Sequence, residues 1–262
     1  MDIKPDVRIK LESDDPEKRA YLQELADHLA LPKPSPDIGT ADFYLLLRNS
    51  RLELHRAKTE EEKQSPLFID FLSGPSYYRF IQNKRIDQPL AKAIGIKRGY
   101  RPTILDTTAG YGEDSFVLAA LGCSVTMLER SGVIWALLNN AITRSLNNPQ
   151  THKIFAEQVK LLHIDSADFL EATAHSFETI YLDPMYPLHR SSALNKQKMR
   201  LLRDLVGSDL DSCHLLPLAI NKAAKRTVVK RPRRAAYLAE KPPSFSIKAK
   251  SSRYDIYLRP HL

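Results

Sequence analysis

The alternation of strand and helix patterns after about residue 89 constrains the fold of this chain more than any other feature of its sequence. Four apolar runs of strand length each lead into polar residues and then into a segment with the apolar spacing of a helix, and a fifth run, RTVVKRP, follows. Such alternation predicts a mostly parallel sheet with helices on both faces. The last two runs, FSIKAK and RYDIYL, predict an antiparallel hairpin at the end of that sheet, so we expect an α/β fold.

The first 88 residues have a different, mixed pattern. Residues 16–31 have apolar positions at helical spacing. Four other runs alternate or cluster apolar residues as strands do: VRIKLES, ADFYLLLRN, RLELHRA and LFIDFLSG. We therefore divide the chain into a small α+β region, 1–88, and a sheet domain, 89–262; the pattern leaves open whether the first region folds independently.

The sequence favours a location in the cytoplasm. The first residues, MDIKPDVRIK, lack the apolar segment of a secretory signal, and the longest nearly apolar stretch, from Phe116 to Leu128, is too short to span a bilayer. The two cysteines, Cys123 and Cys213, have no companion ligands at metal-binding spacing. Neither a disulfide framework nor a metal site is expected.

A loop of small residues, DTTAGYGED at 106–114, joins the first sheet strand to the next helix. It is similar to the G-x-G-x-x-G loop that holds a pyrophosphate, but Ser115 stands at the third glycine position, and Glu113 and Asp114 occupy the helix start. Carboxylates there would repel a pyrophosphate and suit a ligand with a cationic centre and an ammonium group, which S-adenosylmethionine (SAM) has. The loop residues expected to contact this cofactor are Asp106, Gly110, Gly112, Glu113 and Asp114.

Polar residues also end the second and third strands. Glu129 follows Gly112 by 17 residues, near the position from which a carboxylate accepts hydrogen bonds from ribose hydroxyls. Asp165 and Ser166 end the third strand, where we expect them to contact the adenine edge. Taken singly, Glu129 is more often a solvated strand end and Asp165 a helix cap, so the prediction depends on the three strand ends occurring in order.

The fourth strand ends in the motif Asp183-Pro184-Met185-Tyr186, which predicts methylation of an exocyclic amino group. The lone pair of such a group is delocalised into the base, so the group is a poor nucleophile unless acceptors bind its protons. The Asp183 carboxylate and the Pro184 carbonyl supply two acceptors, and Tyr186 supplies an aromatic face for an extruded base. Taken alone, the motif is also compatible with a strand-ending Asp-Pro turn, and a protein glutamine amide is an alternative substrate.

The positive charge of the chain is concentrated near its end. The net charge is +8, and residues 225–262 contain 11 Lys or Arg against 2 Asp or Glu, while the rest of the chain contains 28 against 29. This concentration predicts a phosphate-bearing partner, RNA, and argues against a protein substrate. The side chains expected to contact RNA phosphates are Lys196, Arg200, Arg203, Lys230, Arg231, Arg233 and Arg234.

Several long blocks of the chain resemble one family. DTTAGYGEDSFVLAALGCSVTMLER, YLDPMYP, SALNKQKMRLLRDLVGSDLD, KRTVVKRP and RYDIY are similar to the ribosomal RNA small subunit methyltransferase J family, and the resemblance extends from about Leu67 onward. It implies a class I methyltransferase fold and SAM-dependent methylation of N2 of a guanine near the 3′ end of small-subunit (16S) ribosomal RNA. The cofactor contacts that it implies are Glu113, Asp114, Glu129, Arg130, Asp165, Ser166 and Asp183.

Three other functions compete with this one. A non-catalytic RNA-binding or ribosome-assembly factor on the same fold would have no need of the Asp183–Tyr186 motif. A DNA adenine-N6 methyltransferase has a similar motif, and analysis of the methylated nucleoside separates it from an RNA guanine enzyme. A dehydrogenase is disfavoured by Ser115 and by the acidic helix start.

Overall fold

The computed structural model describes residues 9–13, 19–29, 43–56, 66–74, 77–78, 85–184 and 212–259. The elements of the N-terminal region are β1 (Ile9–Ser13), α1 (Arg19–His28), β2 (Phe43–Arg48) and β3 (Arg51–Arg56). The three strands form one sheet in the order β1-β2-β3, with β1 parallel to β2 and β2 antiparallel to β3. Asn49 and Ser50, which form the tight turn between β2 and β3, both have positive φ, as a two-residue hairpin turn requires.

The second region contains the predicted alternation of strands and helices. Its helices are α2 (Pro89–Ile94), α3 (Glu113–Ala120), α4 (Gly132–Leu146), α5 (His152–Gln158), α6 (Ser166–Ala172) and α7 (Ser212–Lys222). Its strands are β4 (Ile104–Asp106), β5 (Val125–Glu129), β6 (Val159–His163), β7 (Thr179–Leu182), β8 (Arg226–Pro232), β9 (Phe245–Lys248) and β10 (Ser252–Leu258).

These seven strands form a single sheet in the order β6-β5-β4-β7-β8-β10-β9. Strands β4 to β8 are mutually parallel, and β10 lies antiparallel between β8 and β9. The predicted mostly parallel sheet with an antiparallel C-terminal hairpin is therefore confirmed. The C-terminal ends of β4 to β8 lie together and are called the carboxyl edge below; the opposite edge is called the amino edge.

The prediction of a strand over LFIDFLSG is wrong. Leu67 exchanges two backbone hydrogen bonds with Leu54 of β3, of 2.7 and 2.9 Å, and this isolated bridge is not extended. The Asp70 carboxylate accepts from the Leu72 backbone N–H at 3.2 Å and turns the chain, while the Arg144 guanidinium of α4 donates to Asp70 at 2.9 Å and to the carbonyl of Ile69. The apolar alternation of this segment therefore reflects burial on one side and not a strand ladder.

The two regions share one hydrophobic core. The ring of Phe71 lies 4.9 Å from that of Phe116 on α3 and 5.3 Å from that of Phe155 on α5, measured between centroids. The Asn140 side chain of α4 accepts from the Leu52 backbone N–H at 3.0 Å and donates to the carbonyl of Ser50 at 3.1 Å, so it holds the β2–β3 turn. The division at residue 88 remains a prediction about sequence organisation, because the packing is continuous across it.

Within the part of the chain that the structure describes, no helix has the length and apolar character needed to cross a bilayer. Among the same residues, no group of three or more His, Cys, Asp or Glu side chains is arranged to hold a metal ion.

Candidate active site

The loop between β4 and α3 is shaped by a glycine that no other residue can replace without strain. Gly112 precedes α3 with φ +69°, in the left-handed region. A Cβ atom there would lie 2.8 Å from Cδ1 of Leu138 and 3.1 Å from Cζ of Phe71, so the backbone is packed against the core on that side. The close approach explains why small residues are needed in this loop.

Asp106, at the end of β4, holds the loop from beneath. Its carboxylate is 2% exposed and accepts from the Ser115 hydroxyl at 2.5 Å and from the Thr108 backbone N–H at 3.1 Å. Burial raises the pKa of Asp106 to about 7, although these two hydrogen bonds oppose the shift. Both oxygens are used inside the protein, so the structure gives Asp106 the role of bracing the loop.

Glu129, at the end of β5, is oriented by two backbone donors. Its carboxylate accepts from the Gly110 N–H at 3.0 Å and from the Ser131 N–H at 2.8 Å, one to each oxygen. Burial raises the pKa of Glu129 to about 7, and the two backbone hydrogen bonds oppose the shift. Each carboxylate oxygen can accept a further hydrogen bond, so this fixed carboxylate can bind a pair of hydroxyls.

The residues at the end of β6 join the third strand to the loop. Asp165 caps α6 by accepting from the Ala167 N–H at 2.8 Å, and it lies 3.6 Å from the Arg130 guanidinium. The buried Ser166 hydroxyl donates to the carbonyl of Thr107 at 2.6 Å. Ser166 therefore supports the loop, whereas Asp165 and Arg130 form an ion pair beside it.

The motif that was predicted to be catalytic is hydrogen-bonded to the same loop. The Asp183 backbone N–H donates to the Thr108 hydroxyl at 2.6 Å, and both the N–H and the hydroxyl of Thr107 donate to the carbonyl of Tyr181 at 3.0 Å. Pro184 is buried directly after β7. Asp183 and the loop are therefore held in a fixed relation at the carboxyl edge.

An ionic cluster that the sequence analysis did not foresee surrounds Asp183. The Lys230 ammonium of β8 donates to the Asp183 carboxylate at 2.8 Å and to the Asp114 carboxylate at 2.7 Å. The Tyr181 hydroxyl donates to the same oxygen of Asp114 at 2.7 Å. The alignment of β7 with β8 was the signal that could have found it, because Leu182 pairs with Val229, and Asp183 and Lys230 are the next residues along the two segments.

The charges in this cluster oppose the effect of burial. Burial raises the pKa of the Asp183 carboxyl, the Lys230 ammonium opposes that shift, and the Asp114 and Glu113 carboxylates add to it. Burial alone would lower the pKa of Lys230, but the two carboxylates that it contacts raise it above its ordinary value. Lys230 therefore carries its positive charge at neutral pH.

The structure separates the side chains that were predicted to bind RNA. Lys230 is held by the two carboxylates, and Arg231 is 7% exposed and donates to the carbonyl of Ala236 at 3.0 Å. Arg233 and Arg234 are exposed beyond the carboxyl edge. Glu113 is exposed in the first turn of α3. Four predicted residues lie outside the described residues: Tyr186, Lys196, Arg200 and Arg203.

Comparisons with known proteins support the prediction of a SAM-dependent methyltransferase. The family described as "Putative SAM-dependent methyltransferase" matches residues 24–259. A protein from Desulfotalea psychrophila named ribosomal RNA small subunit methyltransferase J is 48% identical over 196 residues, which cover 75% of this chain and 75% of that protein. A protein of the same name from Nitrosococcus oceani is 45% identical over 240 residues, covering 90% and 92%.

A solved structure also supports the predicted fold. The crystal structure of a SAM-dependent methyltransferase from Neisseria gonorrhoeae matches with a TM-score of 0.73 and 32% sequence identity, over 95% of this chain and 96% of that one. The match includes both regions of the chain, so it supports the predicted class I methyltransferase sheet together with the N-terminal region packed on it.

Proposed function

Because the chain belongs to the ribosomal RNA small subunit methyltransferase J family of SAM-dependent methyltransferases, we propose that it methylates the exocyclic N2 amino group of a guanine in 16S ribosomal RNA. The predictions of a methyltransferase fold, of SAM as cofactor and of an enzyme are confirmed at the level of the family. The dehydrogenase alternative is thereby excluded. Ribosomal RNA as the substrate is part of the proposal, as is a location in the cytoplasm.

The described residues fit SAM. Gly112 brings the backbone to a place where a Cβ would collide with the core, and Glu129 is oriented to accept from two hydroxyls. We propose that Gly110, Gly112 and Glu129 hold the nucleoside part, with Asp165 and Arg130 beside the base. When bound, SAM supplies an electrophilic methyl group on a sulfonium.

One observation carries the proposal: the Asp183 carboxylate lies at the carboxyl edge, and its own backbone is hydrogen-bonded to the cofactor loop at Thr108. The carboxylate accepts a hydrogen bond from the amino group of the base, and the Pro184 carbonyl accepts a second. These bonds withdraw the amino lone pair from conjugation with the base and direct it to the methyl group, so that positioning supplies most of the rate. We assign the aromatic face on which the base stacks to Tyr186, as the motif predicts.

The amino group loses a proton during the reaction, and a base has to accept it. Once the N–C bond has formed and the C–S bond has broken, the methylated amino nitrogen is cationic and acidic. We assign the uptake of this proton to the Asp183 carboxylate, which accepts a hydrogen bond from the same amino nitrogen. Burial raises the pKa of Asp183, and a higher pKa makes the carboxylate a stronger base. Transfer of the proton to Asp183, and then to water, balances the reaction.

We propose that RNA lies across exposed cations at the carboxyl edge of β8 and β9. The Arg233 N–H donates to the carbonyl of Ser251 at 3.4 Å, and Arg253 donates to the carbonyl of Arg233 at 3.2 Å, so the loop after β8 is held beside the turn of the hairpin. This places two lysines of the hairpin next to the loop. The exposed cations brought together in this way are Arg233, Arg234, Lys248 and Lys250.

The salt dependence of RNA binding tests this surface. Replacing Arg233 and Arg234 by Gln should flatten the plot of log K against log salt concentration by about two units, one for each lost phosphate contact. Lys225→Met, at the amino edge, is the matched control and should leave the slope unchanged. An unchanged slope in the double variant would place the RNA elsewhere.

Methyl transfer from labelled SAM tests the substrate class. The protein should label small ribosomal subunits from cells that lack this activity, and it should not label large subunits or double-stranded DNA. Labelling of DNA would support the adenine-N6 alternative. SAM binding without labelling of any RNA would support the non-catalytic RNA-binding factor.

A further inference from the structure

Lys230 is placed in the active site and not on the RNA-binding surface. Its ammonium lies 2.7 Å from Asp114 and 2.8 Å from Asp183, and its side chain is 28% exposed. A phosphate would have to compete for this ammonium with two carboxylates, which also repel the phosphate. The geometry therefore does not favour the phosphate contact that the basic run of the sequence predicted.

We infer that Lys230 is a positioning residue for methyl transfer: its ammonium fixes the Asp183 carboxylate by one oxygen and keeps it ionised beside Asp114. The inference rests on the proposed function, because it takes Asp183 as the acceptor for the amino group. It adds a residue and a role that the Asp183-Pro184-Met185-Tyr186 motif does not contain.

The physical reason is the charge balance of the cluster. Two carboxylates that face each other in a partly buried place destabilise each other unless a cation lies between them. Without the ammonium, burial and the neighbouring Asp114 would raise the pKa of Asp183 further. A protonated Asp183 keeps only a neutral carbonyl acceptor for the amino group and can no longer take up the proton that the amino group loses, so methyl transfer would be slower.

The Tyr181 hydroxyl fixes the other end of the cluster. It donates to Asp114 at 2.7 Å from the strand that ends in Asp183, so Asp114 is held from two sides by Tyr181 and Lys230. Asp114 therefore lies in a fixed place, and so does the ammonium bound to it. The position of Asp183 is set by this chain of contacts as well as by its backbone.

The test compares Lys230→Met with two controls. Lys230→Arg keeps the positive charge, and Lys225→Met removes a lysine that is paired with a carboxylate, Glu178, at 2.7 Å on the amino edge. We expect Lys230→Met to lower kcat about a hundredfold at pH 7 and to move the acidic limb of kcat to higher pH, so that the loss is larger at pH 6 than at pH 9. Lys230→Arg should keep that limb near its wild-type position, and Lys225→Met should leave kcat and its pH profile unchanged.

Two further measurements separate positioning from phosphate contact and from a folding defect. The salt slope of RNA binding and the Kd for SAM should be the same in Lys230→Met as in the wild type. A salt slope flattened by about one unit, with a loss of kcat that is equal at all pH values, would make Lys230 a phosphate contact and would overturn the inference.

Carboxyl NMR makes the outcome independent of the RNA substrate. The pKa of Asp183, assigned with Asp183→Asn, should be higher in Lys230→Met than in the wild type. An unchanged pKa would overturn the inference alone. Failure of the wild-type protein to methylate ribosomal RNA, with the pKa shift present, would overturn the proposed function and leave the electrostatic role of Lys230 in place.

Discussion

The two edges of the parallel sheet contain the same kind of ion pair in different surroundings. At the amino edge Lys225 contacts Glu178 at 2.7 Å, and at the carboxyl edge Lys230 contacts Asp183 at 2.8 Å. The two pairs lie at opposite ends of the β7–β8 ladder: Glu178 and Lys225 come just before its first register pair, and Asp183 and Lys230 come just after its last. The Lys225 side chain is 56% exposed and that of Lys230 is 28% exposed, whereas the carboxylates differ in the opposite sense, with Glu178 28% and Asp183 38% exposed.

The surroundings decide what each pair does. Glu178 also accepts from the Tyr100 hydroxyl at 2.7 Å and from the Thr103 N–H at 3.1 Å, so three donors share its single charge and no second carboxylate competes for Lys225. Burial acts to raise the pKa of Glu178, but the hydrogen bonds from Lys225, Tyr100 and Thr103 together outweigh it, so the pKa is lowered. At the carboxyl edge two carboxylates share one ammonium, and burial raises the pKa of Asp183. A single exposed lysine paired with one carboxylate contributes little to stability, whereas one ammonium shared by two carboxylates controls the charge of the group that we propose to be catalytic.

The largest effect is expected at Asp183. Asp183→Ala should lower kcat about a thousandfold, because the acceptor for the amino group is lost, and SAM binding should be retained. Asp183→Asn is the matched control: its amide oxygen can still accept a hydrogen bond, so the loss should be smaller. Single-turnover methyl transfer with saturating SAM measures both, and an Asp183→Ala protein with wild-type rates would remove Asp183 from the mechanism.

The next effect is expected at Gly112, on the cofactor side of the carboxyl edge. Gly112→Ala combines a positive φ with a contact of 2.8 Å to Leu138, so the free energy of unfolding should fall by about 1–3 kcal/mol and SAM should bind more weakly. Gly110→Ala has a positive φ but no atom nearer than the Thr108 carbonyl at 3.8 Å, and its effect should be milder. Urea unfolding and calorimetric titration with SAM measure the two quantities, and equal effects would contradict the packing argument.

A pH-dependent effect is expected from Asp106. Its pKa in the folded protein, about 7, is raised by burial above the ordinary value for an aspartate, so its contribution to stability is present at low pH and is lost as the pH rises through 7. Asp106→Asn mimics the protonated form, because its amide oxygen can accept from the Thr108 N–H while its amide NH2 can donate to the Ser115 hydroxyl. The loss of unfolding free energy between pH 6 and pH 8 should therefore be about 1 kcal/mol smaller in Asp106→Asn than in the wild type. Denaturant titrations at both pH values measure the difference, and identical pH dependence would mean that Asp106 is ionised throughout.

The smallest effect is expected at the amino edge. Lys225→Met removes an exposed pair, so methyl transfer should stay within about twofold of the wild type and the protein should remain folded. The assay is the same single-turnover measurement. A large loss of activity in this variant would show that the ion pair at the amino edge also contributes to methyl transfer, contrary to the comparison drawn above.

The fold and the position of the loop that we propose to hold the cofactor were predictable from the sequence. Strand and helix periods are local, so the order of β4 to β10 and the loop at 106–114 follow from short patterns. The same reasoning from local patterns was wrong for LFIDFLSG. A segment that is buried on one side alternates apolar and polar residues whether or not it pairs with another strand. The strand ladder there is replaced by contacts with Arg144, which lies far away in the sequence.

The electrostatics of the acceptor side were not predictable in the same way. Lys230 stands in a basic run, KRPRR, and composition alone favours a solvent-facing phosphate contact. Its true surroundings depend on the register between β7 and β8, which brings it beside Asp183, and on α3, which brings Asp114 to the other side. Charge patterns indicate a partner class, but the direction of a single side chain is set by tertiary structure.

Analysis of the methylated nucleoside tests the central claim most directly. The protein would be incubated with labelled SAM and with small subunits from cells that lack this activity, and the RNA would be digested and its labelled nucleoside identified. The account predicts N2-methylguanosine, with Asp183→Ala giving none. N6-methyladenosine, or a methyl group on a ribose, would contradict it.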